Sequence, residues 1–152
     1  MLRRYCRAAA TLVAVPVLFV ACSDDEPSDE NFVTQLCEAS SELRTDLEAA
    51  IQAASTQTDS GKAVGLLVEP LEKFVKAFKD SDPPDDLDEW HDEASDRLQA
   101  TVDAFKREQS LSALVGFSDS PIPDPPAEAK QRLRDAAEDV DACDGVAFLK
   151  PD

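Results

Sequence analysis

Glycine is scarce in this chain of 152 residues, with four in all, and histidine, methionine, tryptophan and tyrosine occur once each. So few glycines leave no room for a glycine-rich phosphate cradle or a nucleophile elbow, and neither motif is present. The single histidine, His91, excludes metal sites built on paired imidazoles, and no Cys-x-x-Cys redox motif occurs. Basic residues are also in deficit. Fifteen Lys and Arg face 32 Asp and Glu, giving a formal charge of −17, and such a surface works against binding nucleic acid or anionic lipid headgroups. Period-two alternation is missing and β-branched residues are scattered, so no strand is predicted. The longest apolar run, Ala8 to Ala21, is about 14 residues, short of the ~20 a spanning helix needs, and Pro16 interrupts it.

That run is informative in its own right. Arg3, Arg4 and Arg7 precede it and small residues close it, the three parts of a secretory signal. Its last residues, Leu18-Phe19-Val20-Ala21-Cys22, resemble the lipobox of bacterial lipoproteins: small Ala21 stands immediately before the cysteine, and Phe19 holds the position usually taken by leucine. The resemblance covers the first 22 residues. It implies that residues 1–21 are a signal peptide and that Cys22 becomes the lipidated first residue, so the expected location is the extracytoplasmic face of a cell membrane. It implies no activity. Loss of the three arginines would take the net charge from −17 to −20, leaving membrane contact to the acyl chains rather than to the domain surface.

Residues 22–29, acidic and broken by Pro27, read as a solvated tether, and residues 30–152 are of a size for one domain. With Cys6 removed in the signal and Cys22 taken by lipid, Cys37 and Cys143 remain. In an oxidising compartment they suggest a single disulfide, with two free thiols or half of a metal site as the competing readings. The helical part also resembles small actinobacterial lipoproteins that carry one cysteine in the first helix and another at the end of the last.

Four helices are predicted from apolar residues at steps of three and four. The first runs from Asp29 to about Ala54 on Phe32, Leu36, Leu43, Leu47, Ala50, Ile51 and Ala54. A turn block, Ser55 to Gly61, ends it. The second, roughly Lys62 to Lys79, carries Val64, Leu67, Val68, Leu71, Phe74, Val75 and Phe78, with a kink or break expected at Pro70. After Pro83-Pro84, with Asp82 as candidate cap, the third places Leu87, Trp90, Ala94, Leu98, Thr101, Val102 and Phe105 inward. Leu111, Leu114 and Val115 continue the pattern to Gly116. A proline-rich linker from Phe117 to Pro126 is expected to cross one end of the bundle. The last helix, about Pro125 to Ala142 with Asp124 as cap, buries Ala129, Leu133, Ala136, Ala137 and Val140 and stops near Gly145. Val146, Phe148 and Leu149 form a tail expected to pack back. The fold predicted is all-α: a mostly antiparallel four-helix bundle with a kinked second helix.

His91 stands among Glu89, Asp92 and Glu93, and this setting reads as a surface histidine, not a catalytic one, since adjacent helical residues do not face each other. No catalytic residue, cofactor or metal site is assigned. Two function classes follow. One is a lipid-anchored interaction or structural module of the cell envelope, with an envelope protein as partner. The other is a small-ligand carrier or sensor with a pocket among Phe74, Phe78, Trp90 and Phe105, for which a cavity above about 300 Å3 is the discriminating feature.

Overall fold

The computed structural model describes residues 27–109, 122–138 and 140–143. Residues 3–22 with Cys22, the apolar piece at Leu111, Leu114 and Val115, Gly145 and the tail residues Val146, Phe148 and Leu149 lie outside them.

The fold is an all-α bundle, and the described residues contain no strand. Helix α1 spans Asp29–Ser55 and starts where Ser28, in extended backbone, accepts the Asn31 N–H at 3.2 Å. This satisfies one of the amides orphaned at a helix start. Helix α2, Ser60–Lys79, begins two residues earlier than its apolar pattern implies, because Asp59 accepts the Lys62 N–H at 3.0 Å and draws Ser60 and Gly61 into the first turn. It continues through Pro70. That residue has no N–H to give the Leu66 carbonyl, and its ring is buried. A 3-10 turn, Asp85–Leu87, leads into α3, Asp88–Glu108. The turn is closed by the Leu87 N–H donating to the Pro84 carbonyl at 2.7 Å. Asp82 is not its cap; the Asp82 N–H instead donates to Gln35 Oε1 on α1 at 3.1 Å.

Gln109 ends α3 in left-handed backbone at φ 47°, a C-cap geometry usually supplied by glycine. Helix α4, Ala127–Ala137, is shorter than the sequence pattern implies and is followed by a 3-10 turn at Asp141–Cys143. Pro126 stands at its N-cap with no side-chain capping bond, while Asp124 pairs with Lys130 at 2.8 Å.

Contacts fix the directions. Phe32 at the start of α1 meets Trp90 and His91 at the start of α3, and Phe78 at the end of α2 meets both. Gln109, closing α3, lies near Gly61 at the start of α2. The pairs α1/α2 and α2/α3 are therefore antiparallel. Pro123 accepts the Trp90 indole N–H at 2.8 Å, so Gln109 and Pro123 lie at opposite ends of the bundle. The thirteen residues between them, fourteen chain steps, can span about 46 Å, and the connection joins opposite ends of the bundle instead of crossing one end. In consequence α4 runs in the same direction as α1: Arg132 pairs with Asp29, and Cys143, further along, is bonded to Cys37.

The core joins Phe32, Val33 and Leu36 of α1, Leu67, Leu71, Phe74 and Phe78 of α2, and Trp90, Leu98, Val102 and Phe105 of α3, with Ala129 and Leu133 from α4. Burial fades along α1. Leu43, Leu47 and Ala50 are partly buried and Ile51 is 57% exposed, so the expected inward stripe does not hold over the last turns. Helix α1 is about 40 Å long against about 17 Å for α4, which leaves its second half without α4 beside it.

Candidate functional site

The end of the bundle at which α1 begins concentrates the aromatic side chains. Phe32 meets Trp90 edge to face at a centroid distance of 6.3 Å, and Phe78 meets Trp90 at 6.3 Å and Phe74 at 6.3 Å. His91 completes the group. Its ring stacks on Phe78 at 4.9 Å and 19° and presents an edge to Phe32 at 5.8 Å. The residue is only 6% exposed, which corrects the surface reading drawn from its acidic neighbours. The reason is helical register: Leu87, His91, Ala94 and Leu98 recur at steps of four, three and four and share the inward face.

The polar atoms of this buried ring are held by the end of α2. Nε2 lies 2.7 Å from the Phe78 carbonyl oxygen and 3.1 Å from Ser81 Oγ. Because a carbonyl only accepts, Nε2 carries the proton and donates. Ser81 Oγ donates to the same carbonyl. With its Nε2–H given to a helix carbonyl, the ring is tied to the C-terminus of α2 and closes that end against α3. Ser95, one turn beyond His91, is 5% exposed with no hydrogen-bond partner for its hydroxyl; nothing in the structure explains it.

Of the four aromatics expected around a pocket, three come together. Phe105 does not join them, since it lies fifteen positions beyond Trp90 on α3, about 22 Å of helix. Phe78 links Phe74 and Trp90 through ring contacts. A narrow hollow of about 10 Å3 lies between Phe74, Pro70 and α1 residues Ala39 and Leu43. A larger one of about 250 Å3, at the opposite end, is lined by Gly61, Val64, Gly65, Val68, Lys106 and Gln109. It includes none of the four aromatics.

Charged groups lie outside this core and act between helices. Lys73 of α2 reaches Asp46 at 2.9 Å and Glu42 at 3.3 Å on α1, and these hydrogen bonds, Asp46 first, raise its pKa. Lys106 of α3 pairs with Glu72 of α2 at 2.7 Å, which raises the lysine in the same way. Arg132 holds two carboxylates, Asp29 and Asp86, each at 3.0 Å, and is raised by both. Among the described residues, no group of three or more His, Cys, Asp and Glu side chains is placed to hold a metal ion.

Cys37 and Cys143 form a disulfide across 106 residues, with Cα atoms 4.7 Å apart. Cys37 is fully buried on α1, and Cys143 is partly exposed. No family model, curated protein or solved structure matches the chain.

Proposed function

We propose that this is an exported, lipid-anchored cell-envelope protein acting as a non-catalytic interaction or structural module. The observation that carries the reading is the pairing of the lipobox-like Leu18 to Cys22 stretch with the Cys37–Cys143 disulfide. Bonds of this kind persist in oxidising compartments, the destination that a secretory signal specifies. Among the described residues no helix is long and apolar enough to cross a membrane, so attachment in this reading comes from acyl chains on Cys22. The acidic tether holds the bundle away from headgroups that repel it, with a protein partner in the envelope.

The burial of His91 in the core supports a non-catalytic role, as does the spread of the ion pairs over exposed surfaces. Mass spectrometry of the membrane fraction tests the anchor. The wild-type chain is expected to carry acyl mass on Cys22, and Cys22→Ala is expected to remove it and release the protein. An unmodified wild-type chain overturns the proposal.

A further inference from the structure

Helix α4 is fastened to α1 by two ties that differ in kind. Asp29, Val33 and Cys37 follow one another at steps of four on α1, so they line one side of that helix. Asp29 pairs with Arg132, Cys37 is bonded to Cys143, and Val33, fully buried, lies between. Arg132 is 43% exposed, and exposed ion pairs hold weakly and are screened by salt. The disulfide is the strong tie. Between them α4 buries Ala129 and Leu133 in a core that α1, α2, α3 and Leu87 otherwise build, and adds only the small side chains of Ala136 and Ala137, partly buried, against it. Its 11 residues are also fewer than the ~12–15 below which an isolated helix is marginal in water.

We propose that the Cys37–Cys143 bond is a redox clasp: reduction frees α4 from α1 by local opening while α1, α2 and α3 stay folded. The reductant is a dithiol. Its thiolate attacks the sulfur of Cys143, the partly exposed partner, and Cys37 leaves as a thiolate. The second thiol of the reductant then displaces the Cys143 sulfur. The protein gains two electrons and two protons as a pair of thiols, and the dithiol departs as a cyclic disulfide. Once the bond is broken, the chain beyond Gln109 is held covalently at one end only. About 34 residues separate Gln109 from Cys143, and releasing a loop of that length favours opening on the order of several hundred-fold.

Hydrogen exchange on the full chain, oxidised and then reduced with dithiothreitol, tests the proposal. Amides of residues 127–137 are expected to exchange on the order of several hundred-fold faster after reduction, with α1, α2 and α3 changing less than about tenfold. The double variant Cys37→Ser, Cys143→Ser is expected to reproduce the reduced pattern without reductant. Arg132→Ala, with the disulfide intact, is expected to speed exchange in α4 by less than about tenfold. Equal protection of α4 in both redox states overturns the proposal, as does a loss of protection spread evenly over all four helices, which would make the bond a global staple.

Discussion

Replacing His91 by alanine tests whether the aromatic end of the bundle depends on a buried imidazole. The ring is 6% exposed, stacked on Phe78 and edge-on to Phe32. Its removal leaves a void at a three-helix contact. The Phe78 carbonyl is not orphaned by the change, because Ser81 still donates to it through Oγ and through its backbone N–H at 3.2 Å. The loss is therefore mainly packing, aromatic contact and one hydrogen bond, together about 2–4 kcal/mol. Ser81→Ala removes the hydroxyl donor and leaves Nε2 and the Ser81 backbone N–H in place, so it is expected to cost about 1 kcal/mol. His91→Phe keeps a buried ring and gives up the hydrogen bond, for about 1–2 kcal/mol. Urea unfolding followed by the fluorescence of Trp90, the single tryptophan, reads all three variants, with unchanged m-values as the check on comparability. A His91→Ala loss below about 1 kcal/mol would refute the assignment of this ring to the core, whatever the outcome for Ser81.

Burial along α1 makes a second prediction: Leu36→Ala, at a residue 2% exposed, should lose about 2–5 kcal/mol, and Ile51→Ala, 57% exposed, less than about 0.5 kcal/mol. Comparable losses in urea would refute the register given for α1. The pKa of Asp124 is lowered by its hydrogen bond with Lys130 and the lysine's charge. A depressed carboxylate stabilises the fold above its ordinary pKa and loses that contribution as pH falls through the lowered value. NMR titration should therefore find Asp124 below the usual aspartate midpoint, with Lys130→Ala moving it back up; an unmoved midpoint in the variant rejects the pairing.

The three long helices were legible because their apolar residues recur at helical spacing over 20 residues or more, a signal that local charge does not obscure. His91 was missed for the opposite reason. Glu89, Asp92 and Glu93 dominate its immediate surroundings, whereas the Leu87–His91–Ala94–Leu98 spacing places it inward. Asp82 and Asp124 have the right chemistry to cap helices, but Pro84 and Pro126 occupy the N-cap positions and the carboxylates are displaced from the role. In contrast, Asp59 is well placed, and it extends α2 backward through Gly61. The direction of α4 could not be read from linker composition, since a segment of that length fits either route. The pairing of Cys37 with Cys143 followed from counting cysteines, but their assembly with Arg132, Asp29 and Asp86 depends on residues far apart in the chain.

The shared direction of α1, α3 and α4 has an electrostatic result. Antiparallel neighbours cancel their peptide dipoles, but among the described residues three helix starts gather at the end where α2 alone terminates, leaving an excess of partial positive charge there. The first turns of these helices carry Asp29 and Glu30, Asp88 and Glu89, and Glu128, with Asp85 and Asp86 in the preceding 3-10 turn. Part of the chain's large acidity is thus counter-charge to its own backbone. Neutralising those first-turn acids would bring the net charge closer to zero and still weaken the fold, the reverse of what self-repulsion alone would give.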